Sequence, residues 1–275
     1  NIVKRGVTEL VTPGVAFNEQ LLEQKEHNYI AGLSFHKDRC GAAFLDVSTG
    51  TFQVAEGSLD YIGTLISSFA PKELLVPRGY EKGVRERYGD HHYISTLEEW
   101  AFIYDNSVEK LKRQLKVDSL KGFAIDSFPL GITSAGALLI YLEQTQHYGL
   151  SNICSISRID EGSFVWMDRF TIRNLELLSG QRENSTTLYD IIDRTITPMG
   201  GRLLHRWMAF PLKEVRPIRN RQMVVEYLFR HPQERETIRE NLQRIFDMER
   251  VASKIATGRI NPREMVQLSH ALTAT

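Results

Sequence analysis

Asp46 closes an apolar run and is followed by Ser48 and Thr49. A carboxylate at a strand end is one half of what a metal-dependent nuclease needs. Such a centre works when two or more carboxylates converge on divalent ions. The preceding apolar run, Tyr29-Ile30-Ala31-Gly32-Leu33, carries no acid, and one carboxylate cannot hold a metal pair. The reading favoured for Asp46, Ser48 and Thr49 is that they hydrogen-bond the backbone of a turn. The eight histidines, His91-His92 among them, show neither H-x-x-x-H nor H-E-x-x-H spacing. They read as surface or domain-edge residues. A G-x-S-x-G nucleophile elbow is absent, which leaves acyl transfer without support. Phosphate cradling by a P-loop requires Gly-Lys followed by Ser or Thr. Neither tripeptide occurs in the sequence.

Charge and aromatic residues point the same way. The 275 residues hold 34 Lys plus Arg against 34 Asp plus Glu, without the cationic excess of a self-sufficient DNA binder. One stretch departs from that balance: Arg202 to Arg244 holds ten Lys/Arg against five Asp/Glu. It offers a nucleic-acid face or a solvated helix surface, with Glu236 and Glu240 set among Arg235, Arg239 and Arg244. The second is favoured because no aromatic platform interleaves the charges. Trp100, Trp166 and Trp207 read as core or interface anchors. Two distant cysteines, Cys40 and Cys154, argue against a disulfide framework or zinc site and fit a reducing, cytoplasmic setting. No run approaches the ~20 apolar residues that span a bilayer. The chain opens Asn1-Ile2-Val3 without Met, and both ends read as cuts.

The elements that must position these residues fall into two halves. Val7–Val11 reads as a strand ended by Thr12-Pro13-Gly14. Three further runs, 28–35, 41–47 and 51–55, are joined by short polar turns and predict an antiparallel meander. Leu59 to Phe69 is helix-like, and Leu74–Val76 and Tyr93–Ser95 are short strands. From about Leu120 the period becomes helical. Ala135, Leu138, Leu139 and Leu142 form an amphipathic stripe, as do Leu203, Leu204, Trp207 and Met208. Met248, Val251, Ala252 and Ile255 form another, and Met265, Leu268 and Leu272 a fourth. Gly162–Met167 reads as a short strand at the interface between domains. The boundary between halves is placed near 116–122.

Several strings, in order, resemble the MutS family of DNA mismatch-repair proteins. Val7-Thr8-Glu9-Leu10-Val11-Thr12-Pro13-Gly14 is similar to the stretch opening that family's connector domain. Leu45-Asp46-Val47-Ser48-Thr49-Gly50-Thr51-Phe52 resembles its L-D-x-S-T-G-x-F hairpin, and Pro71-Lys72-Glu73-Leu74-Leu75 its P-x-E-L-L. Met167-Asp168 through Thr171-Ile172-Arg173-Asn174-Leu175-Glu176-Leu177 resembles M-D-x-x-T-x-R-N-L-E-L. Asp193 to Leu212 reads D-x-T-x-T-P-M-G-x-R-L-L-x-R-W-x-x-x-P-L.

The resemblance implies an α/β plus α protein. A ribonuclease-H-like mixed-sheet connector domain over 1–118 precedes a mostly helical core, or lever, domain over 119–275, which ends before the family's DNA clamp. It implies a non-catalytic, bacterial-type segment that carries conformational change between an ATPase and a mismatch reader. ATP and Mg would then belong to the parent protein, with no cofactor and no catalytic or metal residue here. Mismatched double-stranded DNA and a second MutS subunit would likewise be the parent's partners. MutL would dock on the connector, with Glu109 and Lys110 on the helix after Trp100 as the contact residues. Phe17-Asn18-Glu19 matches the family's Phe-x-Glu wedge in letters only, since that wedge precedes the Thr-Pro-Gly string. A ribonuclease-H-like metal-dependent nuclease is the alternative, and a eukaryotic homologue of the same family a third.

Overall fold

Short apolar runs broken by polar pairs make Tyr29–His36 (β1), Arg39–Asp46 (β2) and Thr51–Ser58 (β3) a continuous antiparallel meander. In the computed structural model, which describes residues 12–15, 22–90, 92–145, 149–178 and 185–274, this meander is the centre of a mixed sheet. Glu73–Pro77 (β4) lies parallel to β1, and Tyr93–Leu97 (β5) parallel to β4. Ser157–Arg158 (β6) lies parallel to β3, giving the order β5-β4-β1-β2-β3-β6. The ribonuclease-H-like mixed sheet implied by the resemblance is present. The strand expected at Val7–Val11 and the Phe17-Asn18-Glu19 string lie outside the described residues.

Both faces are covered at the centre of the sheet, so β1, β2 and β4 are buried almost end to end and do not alternate, while the edge strands β5 and β6 bury no residue. On one face Phe44 stacks on Phe69 of Leu59–Phe69 (α1), ring centroids 4.2 Å apart. On the other lies Pro129–Thr145 (α4), with Tyr104–Leu115 (α3) beside it. Glu81–Tyr88 (α2) completes the layer carrying α1. Glycine admits α4 to the sheet. A Cβ at Gly41 would stand 2.1 Å from the Leu130 carbonyl carbon, and one at Gly136 would stand 2.3 Å from Cβ of Ser107 on α3.

The expected stripe on α4 was too narrow a reading. Gly131 to Leu139 is buried without interruption, so the helix is enclosed on nearly every side. Its place also moves the division of the chain. The compact units are Asn1–Leu22 with Asn28–Ile159, and Glu23–His27 with Asp160–Thr275. The expected boundary at 118/119 therefore gives way to one between Ile159 and Asp160. Periodicity identifies a helix but not the layer it joins, and β6 extends the first unit's sheet further still.

The second unit is helical: Arg169–Asn174 (α5), Leu188–Ile192 (α6), Pro198–Ala209 (α7), Val215–Arg230 (α8), Pro232–Leu242 (α9), Met248–Ala256 (α10) and Pro262–Ala274 (α11). Its starts follow local chemistry. Thr197 caps α7 by accepting from Gly200 N–H, with Pro198 at the first helical position. Thr187 and Asp190 form a capping box on α6. The strand expected at Gly162–Met167 reduces to a single bridge from Phe164 to Leu212.

Candidate functional site

Asp46 is fully buried, and its carboxylate is committed to the turn that follows it. Oδ1 accepts from the Ser48 amide at 2.9 Å and the Ser48 hydroxyl at 2.7 Å, and Oδ2 faces the Asn28 amide at 3.4 Å. Gly50 closes the same turn at φ +75, a left-handed backbone that suits glycine. A Cβ there would also stand 2.6 Å from the Asn152 carbonyl oxygen. The turn role favoured for Asp46 is the one the structure displays. Among the described residues no three His, Cys, Asp or Glu side chains are grouped to hold a metal ion.

A second buried acid escaped the sequence reading. Glu73, at the start of β4, has no exposed surface and accepts four hydrogen bonds from neutral donors. Oε2 receives the Thr12 hydroxyl at 2.6 Å and the Gly14 amide at 3.0 Å. Oε1 receives the Ser95 hydroxyl and the Tyr141 phenol, each at 2.6 Å. Burial, then the hydrogen bond to Glu73, pushes the Tyr141 phenol up to about 12, which keeps it a donor. One carboxylate thus ties the Thr-Pro-Gly segment, β4, β5 and α4 together. A Cβ at Gly14 would stand 2.8 Å from that of Glu73. Two strings far apart in sequence, Thr-Pro-Gly and Pro-x-Glu-Leu-Leu, are two sides of one contact.

The second unit has a comparable centre on Arg202 of α7. The side chain is 2% exposed, and its five N–H donors are all engaged. Nη1 and Nη2 grip Asp247 bidentately at 2.7 Å each. Nη2 and Nε reach Glu249 at 2.6 and 3.2 Å, and Nη1 also donates to the Gln24 carbonyl at 3.0 Å. Burial alone would lower the guanidinium's pKa, but the hydrogen bonds and charges of Asp247 and Glu249 more than reverse that and fix it as a cation. Arg250, 4% exposed, donates to the Glu23 and Glu26 carbonyls at 3.0 and 2.8 Å. Lys25 reaches Asp193 at 2.8 Å, and Asp193 in turn accepts from Thr195. Residues 23–27 are held by the Gln24, Glu23 and Glu26 backbone carbonyls and by the Lys25 side chain, and these partners lie 168 or more positions away in sequence, which is why no local pattern assigns them to this unit.

The apolar stripe expected on α7 is only partly enclosed, with Leu204 and Met208 half-buried. Gly201, Arg202 and Ala209 are buried, whereas Leu203 and Trp207 are exposed. Trp207 carries Arg221 over its ring at 3.8 Å, a cation–π contact. Trp100 is likewise half exposed, contrary to a core anchor, while Trp166 packs edge-on to Phe164 and Phe210. The basic stretch divides: Arg202 is interior, Arg230 pairs with Glu226, and Arg235, Arg239 and Arg244 are exposed. His92 is buried against the Pro71 carbonyl at 3.2 Å, and His205 lies edge-on to Tyr189.

The two residues expected to meet a partner sit on α3 with different surroundings. Glu109 is exposed and accepts from Lys112 at 3.0 Å. Lys110 lies low on the surface, its ammonium paired with Glu143 of α4. Next to it a cavity of about 310 Å³ opens between the end of α3 and residues 149–154. Cys154 stands exposed on its rim, whereas Cys40 is interior, its thiol pushed up by burial and then by Glu56. No helix among the described residues is long and apolar enough to cross a membrane.

Comparison with known proteins gives this geometry a context. The family model for MutS domain II matches residues 28–154, and that for MutS domain III matches residues 170–275. The chain is 48% identical to the DNA mismatch repair protein MutS of Parabacteroides distasonis, over 99% of this chain and 31% of the relative. It is 50% identical to the protein of the same name from Phocaeicola vulgatus over 99% and 31%, and 47% identical to that of Bacteroides fragilis over 99% and 32%. The chain spans just under a third of the length of these curated relatives.

Proposed function

Because this chain belongs to the MutS family, matching its domains II and III in order, we propose that it serves DNA mismatch repair as a mechanical segment. In this reading the α/β unit is the connector and the helical unit the core, or lever. Together they carry conformational change between a mismatch-reading part and an ATP-hydrolysing part of a longer cytoplasmic protein. The observation that carries the reading is near-half identity over 99% of the chain to proteins named for that process. Its physical support is stiffness: close-packed interiors transmit displacement, and Arg202 and Glu73 lock distant segments at single points. Coupling of this kind is a free energy shared between two sites. ATP and Mg would be held by the longer protein, as would mismatched duplex and a second MutS subunit, while the connector docks MutL.

The test is a chimera in which this chain replaces the matching segment of the Parabacteroides distasonis protein. The expected outcome is restored mutation avoidance in a mismatch-repair-deficient host. Arg202→Met in the chimera, assayed below its lowered melting temperature, should leave ATP hydrolysis in place while weakening its effect on duplex release. Hydrolysis and release that stay coupled in the variant would refute the transmission role. The chain by itself is expected to hydrolyse no ATP and to bind a G·T duplex no better than its matched counterpart. Metal-dependent cleavage by the isolated chain, abolished by Asp46→Asn, would instead favour the nuclease alternative.

A further inference from the structure

We propose that the cavity at the end of α3 is a socket for an acidic side chain of a protein partner, carried on a segment with an apolar neighbour. The proposal rests on the reading of the α/β unit as a docking domain and replaces Glu109 and Lys110 with Arg113 and Lys116 as the groups that recognise the partner.

Most polar groups of the lining are already engaged. The acid in the lining, Glu143, is paired with Lys110. The Leu150 and Ile153 carbonyls are both taken by Gln114 Nε2, at 2.7 and 2.9 Å. Arg113 and Lys116 remain, both exposed and both without an ion pair among the described residues. They lie at the last turn and C-cap of α3, where the helix dipole favours cations. That accounts for their sign and leaves their donors available. Beneath them Leu115, Leu150 and Ile153 are apolar and largely buried. The lining therefore offers two charged donors over an apolar floor. A bound group must bring a carboxylate and a greasy stem, and an acidic residue beside a leucine on a peptide supplies both.

Cys154 on the rim supplies the assay. Its alkylation by N-ethylmaleimide, a neutral reagent, is followed by mass spectrometry on the whole 275-residue chain; Cys40 is buried and serves as the internal control. A capped peptide alternating Leu and Glu is expected to slow Cys154 alkylation about fivefold at about four times its Kd, as competition by occupancy requires. The Leu-Gln version should not, and added salt should relieve the protection. Arg113→Gln with Lys116→Gln should abolish protection, read as the ratio of alkylation rates with and without peptide, because losing two cations beside Cys154 itself lowers the thiolate fraction and slows the free rate. Equal protection by both peptides, none by either at millimolar concentration, or protection that survives the double variant would overturn the proposal. So would equal protection by free glutarate, which would make the cavity a small-anion site. A partner protein that still binds the double variant at full strength refutes the socket and leaves docking intact. A partner that fails to bind the native chain removes the docking reading instead.

Discussion

Removing the guanidinium of Arg202 would leave Glu249 without this ion pair and Asp247 with Arg250 Nε, 3.7 Å away, as its remaining cation among the described residues. Breaking one side of a fully buried ion pair typically costs about 3–5 kcal/mol; because Glu249 is half exposed and Asp247 keeps Arg250, the expected loss here is about 1–3 kcal/mol. Arg202→Met is therefore expected to lower the urea midpoint of the helical unit sharply, read by Trp166 and Trp207 fluorescence. Arg202→Lys should recover little, since an ammonium cannot reproduce a five-donor planar fork. Glu73→Gln tests the other centre. The amide would turn N–H groups toward donors that now meet carboxylate oxygens, at a cost of about 1–3 kcal/mol; an unchanged midpoint for the α/β unit would refute this account. Acid stability follows from Asp193 and Glu264. Burial would raise both, but hydrogen bonds from Lys25 and Thr195 to the first, and from Asn261 and Lys254 to the second, win and depress both. A depressed carboxylate contributes its stability above the ordinary pKa of about 4 and loses it as pH falls through the folded value. The melting temperature of the helical unit should be level from neutral pH down to about 5 and fall below about 4. Lys25→Ala should flatten that fall.

Among the elements, α4 is placed by what it omits. Gly41 on β2 and Gly136 on α4 stand where any Cβ would collide with backbone or with Ser107. Gly41→Ala and Gly136→Ala should each destabilise the α/β unit by about 1–3 kcal/mol, the usual cost of overpacking. Gly122→Ala, which faces open space, is the matched control and should be silent in the same denaturation experiment. Strands and turns of this unit were legible because short apolar runs and the turn residues that break them act locally; α1 was read to the residue. The layer to which α4 belongs was not, since small residues look alike whether they face water or a sheet. Asp46 was legible as a turn residue because its partner Ser48 is two positions away. Glu73 was not, because its donors come from positions 12, 14, 95 and 141.

Across the whole chain the two units differ in how much apolar surface they enclose. The α/β unit holds one continuous core. In the helical unit α8 and α9 bury no residue, and Val225 and Phe229 are 67% and 78% exposed. Exposed apolar area on that scale binds hydrophobic dyes. The chain should enhance anilinonaphthalene fluorescence, and Val225→Ser with Phe229→Ser should reduce the signal without lowering the urea midpoint.

From the sequence alone came the family, the order of an α/β half before a helical half, and the positions of most strands and turns. Those depend on residue type and on neighbours within a few positions, where backbone preference and side-chain capping act. Tertiary structure decided the rest: that Arg202 is a core residue while Leu203 and Trp207 are not, that residues 23–27 join the helical unit, that Lys110 is neutralised by Glu143, and that Glu73 joins four segments. Each is a contact between groups far apart along the chain. Whether a charge lies inside or outside depends on the partners that reach it, and only the folded arrangement brings them within reach.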